Sequence, residues 1–212
     1  MTVHKFYRQY IVHFVMMNLD NILSKRKDFF MNNDLFLMQQ IYSALFSVGN
    51  KIQVQSDQYL EKLTSRQFMV ILAIAHLPED QASFNNIARK LGTTKQNVKQ
   101  LVTTMKNKGY VEIAPSQHDK RAVNTTITTF GKQVALEAGE KGTYFLADLF
   151  KNFSTNELET MWALLKKLFS FDGEEQDGFE ERSNLTMDEN QMDVQLQVLK
   201  EFKRRRNHIE GE

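Results

Sequence analysis

Along residues 33–55 apolar side chains recur at Leu35, Met38, Tyr42, Leu45, Gly49 and Ile52, in steps of three and four, and Ile41, Phe46 and Val48 widen the stripe. This period predicts a long amphipathic helix whose face is too broad to be left to water, so another helix or another subunit is expected over it. In Thr64-Ser65-Arg66-Gln67 a hydroxyl is followed three residues later by a side chain that can return the hydrogen bond, and Phe68, Val70, Ile71, Leu72, Ile74 and Leu77 follow. That is the start of a buried helix, which Pro78 ends. Ser83 is placed to cap a short helix with Phe84, Ile87, Ala88 and Leu91 inward, and Gly92 supplies the turn after it. Thr94 caps a third helix, in which Val98, Leu101, Val102 and Met105 share one face, and Gly109 stands where a left-handed C-terminal cap belongs.

The period then falls from 3.6 to 2. Residues 110–113 and 122–127 read as two strands joined by the polar turn 115–121. Thr128 is placed to cap a further helix carrying Val134, Leu136, Phe145, Leu146 and Leu149, and Ser154-Thr155-Asn156-Glu157 is a capping box opening a last core helix through Leu158, Met161, Trp162, Leu165, Leu168 and Phe169. The expected fold is mostly α: a winged helix-turn-helix domain with a small β-hairpin wing, plus N- and C-terminal helices forming a dimerisation domain. In residue terms, 63–128 form the winged helix-turn-helix, and 33–62 with 129–171 the helical dimerisation domain. Residues 1–32 form an N-terminal extension with a weak helical pattern. Residues 172–212 form a charged, partly disordered tail in which 187–206 could make a marginal helix.

Composition narrows the function. The chain of 212 residues has two prolines and nine glycines, which suits long helices, and no cysteine, which removes disulfides, Cys-based zinc sites and redox thiols. The apolar run at 10–17 follows Lys5 and Arg8 but is short, contains His13 and lacks a small-residue cleavage site, so it does not read as a secretion signal. No stretch approaches the roughly 20 apolar residues of a membrane span. A cytoplasmic protein without a membrane partner is expected. The net charge of +1 is unevenly spread: residues 64–128 hold nine Lys/Arg against four acids, whereas 172–212 hold twelve acids against six Lys/Arg. The middle of the chain is the part suited to a polyanion.

A winged helix needs one helix for the major groove and a hairpin reaching sideways toward the minor groove. Subtracting the apolar face of the third helix leaves Lys95, Gln96, Asn97, Lys99, Gln100, Thr103 and Lys106, with Thr94 at its start and Arg89 on the helix before. Amides can pair bidentately with adenine, lysines reach guanine or phosphate, and threonine can bond phosphate or touch a thymine methyl. Any soluble helix turns Lys and Gln outward, but ordinary ones mix signs, and here no acid occurs between Lys95 and Tyr110. Asp119, Lys120 and Arg121 fall at the tip of the hairpin. The five histidines, at 4, 13, 76, 118 and 208, have no metal-ligand spacing, and neither a phosphate loop nor a nucleophile motif is present. Neither an enzyme nor a metal or other cofactor is expected. A winged helix used for protein contacts without a specific DNA target is the alternative reading.

The runs Leu63-Thr64-Ser65-Arg66-Gln67-Phe68, Ile87-Ala88-Arg89-Lys90-Leu91-Gly92-Thr93-Thr94-Lys95-Gln96-Asn97-Val98-Lys99-Gln100-Leu101-Val102, Lys108-Gly109-Tyr110-Val111, Asp119-Lys120-Arg121-Ala122 and Ile127-Thr128-Thr129-Phe130-Gly131 resemble, in this order and spacing, the MarR family of transcription regulators over about residues 34–170. The resemblance implies a homodimer on a pseudo-palindromic double-stranded operator, acting as a repressor that a small aromatic ligand could relieve. It also implies that Arg121 enters the minor groove while Asp119 braces it. Tyr42, Phe46, Met69 and Trp162 are the candidates to line a ligand cavity, although aromatic and Met residues at helical spacing are more often core. The chain departs from the family at Phe130, where a lysine is usual, and at Ile113, Ala114 and Ser116, where further charges often enter the wing.

Overall fold

Hydroxyl side chains set where most of the helices begin. In the computed structural model, which describes residues 33–116, 123–173, 178–180, 183 and 189–207, the elements in chain order are α1 (Asn33–Leu60), α2 (Ser65–His76), α3 (Phe84–Lys90), α4 (Lys95–Asn107), β1 (Val111–Pro115), β2 (Val123–Ile127), α5 (Thr129–Leu149), α6 (Thr155–Lys166) and α7 (Glu189–Asn207). Thr64, Ser83, Thr94, Thr128 and Ser154 each accept a hydrogen bond from the backbone N–H three residues on, and Gln67 and Glu157 return it to form full capping boxes on α2 and α6. Each cap satisfies a donor that the first helical turn otherwise leaves unpaired.

The chain divides into two units, residues 1–51 and 52–212. In the first, every described residue is helical and exposed. In the second, one core is built from α2, α3, α4, the hairpin and α5. Val70, Ile71, Ile87, Val98, Val102, Met105, Val111 and Val134 are buried in it, and Phe68, Phe84, Leu101 and Ile127 pack on its margin.

The hairpin is antiparallel, with Val111 opposite Ile127 and Pro115 opposite Val123. Its strands differ from the expectation at both ends of β1. Tyr110 lies outside the strand because its N–H donates to Met105 O and its carbonyl accepts from Thr128 N, so it closes α4 and anchors α5. Pro115, expected in the turn, is the last residue of β1, a strand-end position in a two-stranded sheet where its missing N–H is tolerated. Gly131 explains how tightly these parts meet: a Cβ there would stand 1.9 Å from Tyr110 O, so only glycine fits.

Two helices differ from the sequence reading. The last core helix is α6, yet none of its residues is buried: Leu158, Met161 and Leu165 are half-buried and Trp162 and Leu164 exposed. The stretch read as a marginal helix is α7, 19 residues long, which packs on α5. Val198 is buried there, and ionic and polar contacts reinforce the packing. Arg205 bonds Asp148 at 2.9 Å and lies over the Tyr144 ring at 4.6 Å. Arg206 donates to Phe150 O and to Phe153 O, the latter at 2.9 Å, supplying donors for carbonyls at and beyond the end of α5.

Candidate nucleic-acid interface

Helix α4 divides cleanly into two faces. Val98, Val102 and Met105 are buried and Leu101 half-buried, which holds the helix against the core, while Thr94, Lys95, Gln96, Lys99, Gln100, Thr103 and Lys106 are exposed. Arg89 is exposed near the end of α3. The two helices are joined through Leu91, Gly92 and Thr93, where Gly92 takes φ 59 and Thr93 N returns to Ala88 O at 2.9 Å. This tight left-handed turn fixes the angle at which α4 leaves α3.

Each exposed polar side chain has a definite amount of hydrogen bonding left to offer. Lys95, Gln96, Lys99, Gln100 and Lys106 point cationic or amide groups outward. Thr94 spends an acceptor lone pair on Asn97 N at 3.2 Å, and its hydroxyl hydrogen can still go to a phosphate. Thr103 donates to Lys99 O at 2.7 Å and keeps an acceptor and its methyl group. Asn97 is different: it is half-buried and one of its two amide N–H groups donates to Thr93 Oγ1 at 3.2 Å, which ties down the orientation of the amide that would have to meet an adenine edge. Gln96 and Gln100 are thus the freer amides. Lys90, one of the nine basic residues of the segment, is buried and adds nothing to the outward charge.

Asp119, Lys120 and Arg121, the expected wing tip, lie outside the described residues, as does Ala122 of the expected second strand. What holds the base of the wing was not foreseen from the sequence. Thr125 N donates to Ala82 O at 3.0 Å, which ties β2 to the residues before α3. Ser116 Oγ donates to Asp80 at 3.1 Å, and Asp80 itself takes φ 57. A polar residue just past a strand-end proline, and an acid in the Pro78-Glu79-Asp80 turn, were the available signals, but their pairing across 36 positions is invisible to local patterns. Of the expected ligand-pocket residues, Tyr42 and Phe46 belong to the first unit, where their rings pack at 5.1 Å, and Met69 and Trp162 to the second; all four are exposed.

A model of the MarR family matches residues 62–122, the segment that holds α2, α3, α4 and β1. This segment, the reading head, is similar to a MarR-family winged helix. Proteins similar to this chain are described as transcription regulators. The transcriptional activatory protein BadR of Rhodopseudomonas palustris is 26% identical over 137 residues, which are 62% of this chain and 78% of BadR. The HTH-type transcriptional regulator SarZ of Staphylococcus haemolyticus is 27% identical over 100 residues, which are 46% of this chain and 67% of SarZ. Among solved structures, S. aureus MepR in complex with DNA is similar at a TM-score of 0.54 and 27% identity, covering 61% of this chain and 96% of MepR. No helix among the described residues is long and apolar enough to cross a membrane.

Proposed function

We propose that this protein is a transcription regulator that binds double-stranded DNA sequence-specifically as a homodimer on a pseudo-palindromic operator. The observation that carries the proposal is the outward face of α4, which presents Lys95, Gln96, Lys99, Gln100, Thr103 and Lys106 on a helix fixed by its buried face, with no acid from Lys95 to Tyr110. Such a face meets the two needs of groove recognition: cations for the phosphates and amides for base edges.

The dimer follows from uncovered apolar surface. Phe36, Met38, Ile41, Tyr42 and Phe46 on α1, and Leu164 and Leu168 in and just after α6, are exposed in one chain, and a second copy would bury them. Two-fold symmetry would present two α4 helices to half-sites about one helical turn apart. In this reading Arg89 and Lys106 contact phosphates, Gln96 and Gln100 read bases, and Arg121, braced by Asp119 and flanked by Lys120, enters the minor groove. Repression is the expected sign of regulation, and a small aromatic ligand the expected relief.

Selection of bound sequences from random duplex DNA with the purified chain tests the proposal in one step. The expected outcome is a two-fold motif whose half-sites are about 10 base pairs apart, bound with a steep salt dependence. Recovery of no motif, with binding absent even at low salt, would instead favour a winged helix that contacts proteins.

A further inference from the structure

Residues 172–184 are an acidic and polar run in which Phe179 is the one large apolar side chain. Its behaviour contrasts with that of Phe171, eight residues earlier, which is 82% exposed. Phe179 instead packs against the core of the reading head. Its ring meets His76, the last residue of α2, edge-on at 5.4 Å, and the ammonium of buried Lys90, the last residue of α3, lies 5.4 Å from its centroid. An edge-on ring pair and a cation over a ring face are attractive contacts that fix orientation as well as position.

The neighbouring residues bind elsewhere. The Glu180 carboxylate accepts from Trp162 Nε1 and from Lys166 Nζ, both at 3.0 Å and both on α6. Gly178 is buried at φ 63, and a Cβ there would come within 3.2 Å of Phe169 and 3.4 Å of Trp162, so the chain passes α6 and the residues just after it at close range. Three consecutive residues therefore grip two different parts of the fold, one ending at the turn into α4, the other belonging to the helices proposed to pair in the dimer.

We infer that Gly178, Phe179 and Glu180 form a latch between the reading head and α6, and that its closure sets the position of each α4 in the dimer, hence the half-site spacing that the protein accepts. This rests on the proposed function above. The geometry gives the latch its leverage: Lys90 is separated from Lys95 of α4 only by the tight turn through Gly92, so a ring seated on Lys90 acts next to the recognition helix. Without the latch, α3 and α4 would keep their mutual packing but lose one of their ties to α6.

Trp162 is the sole tryptophan of the chain, so its emission reports the Glu180 end of the latch directly. The test uses the full chain and the variants Phe179→Ala, Phe179→Leu and Glu180→Gln. Phe179→Ala is expected to shift Trp162 emission to the red and to speed amide exchange in α3. Phe179→Leu, which keeps an apolar plug, should restore most of the wild-type signal, and Glu180→Gln should fall between. On operators whose half-sites are moved by one base pair, the wild type should lose about fivefold or more in affinity, a typical size for coupling between parts of a protein. Phe179→Ala should lose less than about twofold, since the freed heads adapt. Unchanged emission and exchange in Phe179→Ala would overturn the latch itself. A changed emission with the wild-type spacing profile would overturn its role in spacing. If the wild type binds no DNA, the proposed function and the spacing role fall together, while the emission and exchange measurements still decide whether the latch closes.

Discussion

The reading head and the helices that flank it carry comparable amounts of apolar sequence and dispose of it in opposite ways. In the head, Val70, Ile71, Ile87, Val98, Val102 and Met105 are wholly buried within one chain. In residues 33–51 and in α6 nothing is buried, and Phe36, Tyr42 and Phe46 are each more than half exposed. The difference teaches that helical periodicity shows a face to be apolar without saying whose surface covers it. The head is closed by its own elements; in the flanking helices the apolar faces stay open in one chain, and that exposure is the support for the proposed dimer.

The most direct way to break this comparison is to truncate one residue on each side of it. Ile87→Ala, in the closed core, is expected to cost about 2–5 kcal/mol by leaving a cavity, and the loss should not depend on protein concentration. Phe46→Ala should instead lower the melting temperature mainly at high concentration, where the wild type gains stability from association, and hardly at all where the wild type is itself dissociated, if the contact it removes belongs to the proposed dimer. Thermal unfolding over a hundredfold range of concentration checks both. Equal concentration dependence for the two variants would end the distinction.

Gly131 tests how tightly the head is closed where it joins α5. Gly131→Ala would force a methyl group to within 1.9 Å of Tyr110 O, and a backbone atom cannot step aside as a flexible side chain can. A loss of about 3 kcal/mol, the upper end of ordinary overpacking, is expected in denaturant unfolding. Moving α5 away from Tyr110 would also disturb the bond from Thr128 N to Tyr110 O at 3.1 Å.

Within the head, the outward face of α4 is expected to split into two kinds of residue. Gln96→Ala should relax base preference by about 1–3 kcal/mol at its position, whereas Lys106→Ala or Arg89→Ala should weaken all sequences alike and reduce the salt slope by about 1 each. Asn97→Ala should alter base preference less than Gln96→Ala, since its amide is already engaged with Thr93. Binding titrations on the selected operator and on single-base variants, at several salt concentrations, separate these effects. A larger change of preference for Asn97→Ala would mean that this amide leaves Thr93 on binding.

Most of the head was legible in the sequence because its signals are local. Thr64 with Gln67, and Ser83, Thr94, Thr128 and Ser154, mark helix starts through bonds that span three residues, and the positions 98, 101, 102 and 105 mark a face within one helix. What escaped depends on pairs far apart in the chain. The wing is held at its base by Ser116 to Asp80, and Phe179 reaches back to His76, 103 positions earlier. Burial of Lys90 escaped for the same reason, so a count of basic residues overstated the outward charge by one. Pro115 was read as a turn residue on type alone, although the end of a two-stranded sheet accommodates it.

The smallest expected effect concerns α7, which is held differently from either region of the comparison. Among its apolar residues Val198 is buried while Met192, Val194, Leu196 and Leu199 stay exposed, so its attachment to α5 leans on the Arg205 and Arg206 contacts. Glu201 organises this cluster: it accepts from Arg204 at 2.7 Å and from Arg205 at 2.9 Å, and the two guanidinium groups lower its carboxyl from 4.5 to about 2. A depressed folded-state value means that the carboxylate form favours the folded chain. Its contribution is therefore fully present above pH 4.5, shrinks as the pH falls below that, and is gone once the pH has passed about 2. Arg204 is exposed and Glu201 only half-buried, so salt should weaken the effect. The informative quantity is the difference in melting temperature between wild type and Glu201→Gln, because it cancels the titration of all other carboxylates. That difference should be small and constant from pH 7 to 5 and should vanish toward pH 2. A difference that persisted unchanged at the acid end would show that Glu201 acts through packing, leaving the attachment of α7 to the bonds from Arg205 to Asp148 and from Arg206 to the carbonyls of Phe150 and Phe153.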